Sequence, residues 1–396
     1  KLYATSNRGR DKSALVLLDP AQPDVETVVF EHPQVDIYTA VWSRVQKKLT
    51  QAVYQTDRTH REIFDPATQA LFDKLAKHLP GYELVLQAST RDETRFVVAA
   101  LSDRTQGTRY FYDSRSDRLV KLGELAPWLP EAQMAPMKPV QYSARDGLAI
   151  PGYLTLPVGR EARNLPCVIN PHGGPWARDA WGFNPEVQFL ANRGYCVLQM
   201  NFRGSTGYGR KFWEASFGQW GLKMQDDISD GVAWLVAQGI ADPKRVAIYG
   251  ASYGGYATLA GVTFTPDLYA AAVNYVGVSN LFTFMKTIPP YWEPWPAQMY
   301  EMVGNPDTEK DKARMQATSP VFHVDRIRTP LLVAQGARDP RVNKAESDQI
   351  VDALKKRGVA VQYIVKENEG HGFANEENQL DFYTAMQAFL RQHLGR

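Results

Sequence analysis

The hexapeptide Gly250-Ala251-Ser252-Tyr253-Gly254-Gly255 constrains this chain more than any other stretch. An apolar, β-branched run, Arg245–Tyr249, precedes it, and a helix-forming run, Tyr256–Ala260, follows it. The pattern is a strand, a turn too tight for ordinary side chains, and a helix, with a serine at the apex. Gly250 and Gly254 permit the strained backbone that would lift Ser252 above a sheet. A serine hydroxyl is a weak nucleophile at neutral pH, so it needs exposure, a base and nearby N–H donors. The helix start offers such donors, the N–H of Tyr253 among them. An ordinary glycine-rich turn with a structural serine is the bland alternative. The strand–turn–helix setting argues against it.

An activated serine needs a histidine, and the histidine needs an orienting carboxylate, in the chain order serine, acid, histidine. Three histidines follow Ser252: His323, His371 and His393. His371 lies in the glycine-flanked loop Glu369-Gly370-His371-Gly372-Phe373, after the strand pattern Val361–Val365. Loops at strand ends are where a scaffold presents reactive groups. His393 falls at the polar end of an amphipathic helix, where capping is the simpler role, and His323 precedes a turn. His371 is therefore the expected base. Asp339 follows the buried-strand run Thr329–Gln335, which puts it in a loop at the C-terminal edge of the sheet. Asp325 precedes that strand, at the wrong edge, and Asp348 falls on the next helix. Asp339 is the expected acid.

An oxyanion needs two N–H donors, one from Tyr253 and one from an earlier loop. The strand pattern Leu165–Asn170 leads into Pro171-His172-Gly173-Gly174-Pro175-Trp176. Gly174 N–H is the expected second donor, and Trp176 is a candidate substrate-binding residue. His172 precedes the serine in the chain, so it is expected to shape the loop rather than to act as base.

Taken together, six pieces resemble the prolyl oligopeptidase family of serine peptidases, in its acylaminoacyl-peptidase and dipeptidyl-peptidase-like branch. They are His172–Trp176, Asn201–Gly209, Asp226–Gly231, Gly250–Tyr256, Gly336–Val342 and Glu369–Phe373, in that order over some 200 residues. The resemblance implies an α/β-hydrolase domain preceded by a β-propeller. It implies that Ser252, Asp339 and His371 form a triad, and that Arg341, two residues past the acid, binds a substrate carbonyl. Short peptides would be the substrates, with no cofactor. A solvated surface arginine is the plain alternative for Arg341. A carboxylesterase of the same fold and a non-catalytic propeller scaffold are the rival functions.

The chain has 396 residues, which fits two domains. A net charge of +2, with signs mixed and no basic stripe, gives no electrostatic case for nucleic acid. No run approaches 18 apolar residues, so no membrane-spanning helix is expected. There is no metal-ligand spacing. The two cysteines, Cys167 and Cys196, each fall in a buried-strand pattern and are expected to be reduced core residues.

Residues 1 to about 130 read as evenly spaced short strands, interrupted by Asp65-Pro66 and a helical segment at 67–78. Such spacing suggests part of a propeller, about three blades. Pro127 to Pro139 reads as a linker, and residues 131–396 form the α/β domain, in which strands and helices alternate from Val140 onward. Helices are expected over 226–238, 344–357 and 379–394. The last carries an apolar stripe at 380, 383, 386, 389 and 390. Asp226, Asp227 and Asp230 read as helix capping or core ion pairing. The glycine-rich 204–209 loop lacks the lysine of a phosphate cradle. The stretch Ile288–Trp295 is proline-rich, and Trp292 in it either packs or lines the S1 pocket. The chain begins at Lys1 inside a strand pattern, with too few strands to close a ring of roughly four to eight blades. The expectation is therefore a piece of a longer polypeptide with open sheet edges, prone to self-association. Localisation is unconstrained.

Overall fold

The computed structural model describes residues 1–289, 291 and 296–395. The chain divides into two compact units. The first gathers Lys1–Lys138, Ala180–Gln188 and Thr206–Lys211. The second holds Pro139–Asp179, Phe189–Ser205 and Phe212 onward.

The first unit contains ten strands in three antiparallel meanders. Strands β1 (Leu2–Ser6), β2 (Ala14–Asp19) and β3 (Gln22–Phe30) form one sheet, and β4 (Ile37–Ser43), β5 (Lys48–Gln55) and β6 (Thr59–Ile63) another. Strands β7 (Glu83–Ser89), β8 (Arg95–Leu101), β9 (Thr108–Asp113) and β10 (Arg118–Glu124) form the third. Sequence patterning finds all of these except β6, whose Thr-His-Arg-Glu-Ile run shows little apolar alternation. The helix Pro66–His78 begins at Asp65, whose side chain accepts hydrogen bonds from Thr68 N and Thr68 Oγ1, both at 2.8 Å. Its Leu75 packs with Leu84, Phe96, Val98 and Tyr112 in a small core. The segment Ala180–Gln188 joins this unit through buried polar groups, and Thr206–Lys211 through part-buried and exposed bonds to Asp11, Lys12 and Asp36. Gln188 bonds the backbone of Ala135 in both directions and the Asp103 carbonyl, and the Trp181 indole N–H donates to the Met137 carbonyl. Such long-range satisfaction leaves no local sequence signal.

The second unit is built on an eight-stranded sheet. Its strands are β11 (Met137–Ser143), β12 (Ala149–Thr155), β13 (Leu165–Ile169), β14 (Cys196–Met200), β15 (Ala241–Ala251), β16 (Ala271–Tyr275), β17 (Leu331–Gly336) and β18 (Val361–Lys366). They lie in the order β11-β12-β14-β13-β15-β16-β17-β18. Strand β12 pairs antiparallel with β14, and the pairs from β14 across to β18 are parallel. Strands β13, β14, β16 and β17 and residues Val246–Gly250 of β15 are buried, as a parallel sheet covered on both faces requires.

Helices Lys223–Ala237, Lys344–Lys356 and Glu376–Leu394 fall where periodicity puts them, with shifted ends. The phase of the last differs from expectation. Leu380 is 68% exposed, and the buried stripe is Phe382, Met386, Phe389, Leu390 and Leu394. The stack of Phe382 on Tyr275, with centroids 4.6 Å apart, turns the helix to that face. Within the acidic cluster Asp227 is core ion pairing, whereas Asp226 and Asp230 pair with the exposed Arg145. Buried Arg203 forks onto Asp227 at 2.7 and 2.8 Å and reaches Asp146 at 2.9 and 3.0 Å. Burial works against its charge, but the two carboxylates outweigh burial and raise its pKa.

The cysteines overturn one expectation. Cys167 and Cys196 sit opposite each other on parallel neighbours β13 and β14, with Cα atoms 4.4 Å apart, and are joined as a disulfide. Sequence alone puts each in a buried strand but does not reveal that the strands are adjacent and in this register. Thiol titration in denaturant without reductant should detect no free thiol, and two after reduction. Two thiols before reduction would contradict the pairing.

Candidate active site

Strand β15 delivers Ser252 into a left-handed conformation, φ 59° and ψ −117°, directly before the helix Tyr253–Phe264. A non-glycine residue held there stores about 1–3 kcal/mol of strain, which the surroundings must over-determine. They do so by close backbone approach. A Cβ at Gly250 would overlap the Gly254 carbonyl, and one at Gly254 would overlap the Pro171 carbonyl. A Cβ on Gly173 would lie 3.1 Å from the Ala251 carbonyl oxygen and 3.5 Å from Ser252 Cβ. The turn and the His172-Gly173-Gly174 loop are thus in backbone contact. Ser252 N donates to the Tyr275 carbonyl at 2.9 Å, and the Ser252 carbonyl accepts from Tyr256 N at 3.0 Å. The helix behind the turn is predominantly apolar and buried from Tyr253 to Thr263, as a helix inside a core must be.

Two strands away in the sheet, β17 ends at Gly336 and its loop presents Asp339. Asp339 Oδ1 accepts from the backbone N–H groups of Arg341 at 2.8 Å and Val342 at 2.9 Å. That leaves Oδ2, 2.7 Å from His371 Nδ1. The Asp339 side chain is fully buried and that of His371 is 15% exposed. A carboxylate can only accept, so Nδ1 carries the proton and the lone pair of Nε2 is left available.

The other residues singled out in the sequence take the following places. His172 stacks on Phe202 at 4.3 Å, with Nδ1 2.8 Å from the Gly173 carbonyl and Nε2 2.9 Å from Ser205 Oγ. Withdrawal from water pushes its pKa down to about 4. The ring is neutral at pH 7. Its one proton faces the carbonyl on Nδ1, and the single proton of Ser205 Oγ has two acceptors in reach, Nε2 and the Phe202 carbonyl at 2.7 Å. Trp176 is half-buried beside Trp220, and its N–H donates to Ser216 Oγ at 3.1 Å. Gly174 is exposed on the loop, and Tyr253 opens the helix with its side chain buried. Arg341 is exposed, with Nε 3.2 Å from Tyr291 Oη. Trp292 lies outside the described residues.

Two carboxylates that sequence reading passes over hold the loops in place. Glu369, two residues before His371, is buried. It accepts from Ala374 N at 2.8 Å, Asn375 N at 2.9 Å, Asn375 Nδ2 at 2.8 Å and Asn378 Nδ2 at 2.7 Å. Burial alone would raise its pKa, but these donors outweigh burial and hold it at about 2. Glu346, on the helix after the acid loop, accepts from Ser279 N and Asn280 N, each at 2.9 Å, and from Thr283 Oγ1. Burial pushes its carboxyl up despite these bonds. Both glutamates stand where a charged residue reads as surface, and only a buried carboxylate among helix and loop N–H groups reveals the role.

A mostly parallel sheet with a strained serine turn at the end of its central strand, and with further loops at the same strand ends, is an α/β-hydrolase fold. Residues 181–396, more than half of the chain, match the prolyl oligopeptidase family. Dipeptidyl aminopeptidase BIII of Pseudoxanthomonas mexicana is 41% identical over 401 residues, covering 100% of this chain and 58% of that protein. Dipeptidyl peptidase family member 6 of Caenorhabditis elegans is 34% identical, covering 92% of this chain and 54% of that protein. A solved puromycin-hydrolyzing peptidase of Mycobacterium tuberculosis superposes with a TM-score of 0.83 at 26% identity, over 100% of this chain and 60% of its own. The chain belongs to the prolyl oligopeptidase family. It spans somewhat more than half the length of these relatives.

The Glu369 clamp makes a pH-dependent prediction. Its folded pKa, about 2, lies below the ordinary 4.5, so the stability it adds is complete above pH 4.5 and is lost as pH falls towards 2. Glu369→Gln should lower the melting temperature at pH 7, and the gap from wild type should close steadily between pH 5 and pH 2.5. A gap that does not change with pH would show that the charge of Glu369 is not what holds the loop.

Proposed function

We propose that the chain carries the catalytic apparatus of a serine peptidase that cleaves short peptides near the N-terminus by an acyl-enzyme route. The observation behind this reading is the 2.7 Å pair between Asp339 and His371, on loops tied to the strained Ser252 turn. In this reading His371 Nε2 takes the proton from Ser252 Oγ as the oxygen attacks the scissile carbonyl. The N–H groups of Tyr253 and Gly174 receive the charge that develops on the carbonyl oxygen. The proton then passes to the leaving amine, and water, deprotonated by the same histidine, releases the acyl group. Asp339 keeps the imidazole in its Nδ1–H tautomer throughout.

The names of both sequence relatives point to removal of dipeptides, which makes the free amino terminus the feature to be recognised. Arg341, exposed and two residues beyond the acid, is suited to a peptide carbonyl one residue upstream of the cleaved bond. Trp176 is assigned to a wall that receives side chains, and Trp292, outside the described residues, stays a candidate from the sequence alone. In the first unit the three meanders are read as propeller blades, each an up-and-down sheet of three or four strands.

The expected activity is turnover of dipeptidyl anilides with a free amine in preference to their acetylated forms and to N-acetyl amino-acid anilides. Preference for the acetylated substrates would move the reading to an acylaminoacyl peptidase, and turnover of short acyl esters alone would move it to an esterase. Arg341→Ala should cost about 1.5–3 kcal/mol in kcat/KM on peptides, the range for a charge-assisted hydrogen bond. It should change ester turnover little, because the ester lacks that carbonyl. Equal losses on both substrates would make Arg341 a structural residue.

A further inference from the structure

We propose that Tyr275 is a positioning residue that sets the His371 loop in register with the Ser252 turn. The proposal rests on the serine-peptidase reading above. Tyr275 ends β16, the strand between the one that carries the serine and the one that carries the acid. It pairs with Ala251 on one side and Ala334 on the other. Its backbone carbonyl accepts the N–H of Ser252 itself at 2.9 Å. Its hydroxyl accepts the backbone N–H of Phe373, two residues past His371. One residue, through its backbone carbonyl and its hydroxyl, thereby joins the turn that presents the nucleophile to the loop that presents the base.

The tie is rigid at both ends. At the backbone end, the neighbouring Val276 N donates to the Ala334 carbonyl at 2.9 Å, which fixes Tyr275 against β17. At the ring end, Phe373 meets Tyr275 edge-on at 5.0 Å and Phe382 stacks on it at 4.6 Å. The residue is only 8% exposed. Phe373 is 7% exposed, so its N–H has little access to water as a substitute partner. The other anchors of the His371 loop act elsewhere. Asp339 fixes the ring through Nδ1, and Glu369 fixes the backbone at 374 and 375. The Tyr275 hydroxyl and ring tie the loop to the strand that also bonds Ser252. Asp339 controls which way the imidazole faces. Tyr275 controls how far its Nε2 stands from the serine oxygen.

Tyr275→Phe tests this cleanly, because the phenyl ring keeps its place between Phe373 and Phe382 and only the hydroxyl is lost. Active sites are counted by stoichiometric fluorophosphonate labelling, and kcat is expressed per labelled site. The expected result is a fall of about 10-fold to 100-fold in kcat per site and in the second-order labelling rate, the scale for a misplacement of an ångström or less. KM should stay within about twofold. A residue that only stabilises the fold would lower the labelled fraction or the melting temperature and leave kcat per site unchanged, and that result would overturn the proposal. So would wild-type rates in the variant. If the wild-type protein itself neither labels nor turns over peptides, the serine-peptidase reading fails, and it does so independently of the variant.

Discussion

The second unit is organised around a place where backbone meets backbone with no room for a side chain. Gly250 lies against Gly254, Gly254 against Pro171, and Gly173 against the end of β15. These approaches make the left-handed φ of Ser252 the accommodated conformation of the turn. They also bind the turn to the loop after β13. The parallel order of the strands follows the same logic, since it brings the ends of β13, β15, β16 and β17 to one edge, where the loops carrying His172, Ser252, Val276 and Asp339 emerge. Site chemistry then depends on how those loops are fixed relative to each other.

They are fixed mainly by buried acceptors. Asp339 takes two backbone N–H groups before it meets His371. Glu369 takes two backbone and two side-chain donors. Glu346 joins the helix after the acid to the loop after β16. A buried carboxylate without its partners is costly, so each loop has one low-energy arrangement. The consequence is that the groups proposed to be catalytic are held in place by the fold itself.

The turn with Ser252 and the loops with Asp339 and His371 could be placed from the sequence because each follows an apolar strand pattern, and strand ends define loops. Helix Lys344–Lys356 was legible for a similar reason: Asn343 caps its start and apolar residues recur at helical spacing. The illegible features are those made by distant parts of the chain. The disulfide needs β13 and β14 to be neighbours, although 29 residues separate the cysteines. The phase of the last helix is set by Tyr275, over a hundred residues upstream, and so Leu380 was misplaced. Segments 180–188 and 206–211 cluster with the first unit through side-chain bonds to residues far earlier in the chain. Glu369 and Tyr275 bear ordinary local patterns, and their importance appears only when their partners are in place.

In the proposed mechanism Ser252 is activated by His371 and Asp339. The direct measurement is mass-spectrometric mapping of the adduct formed by a fluorophosphonate on the wild-type chain, compared with Asp339→Asn. The account predicts one adduct, on Ser252, formed at least about 10³-fold more slowly in the variant, where the imidazole tautomer is no longer enforced. An adduct on another serine, or labelling of Ser252 at an equal rate in both proteins, would contradict it.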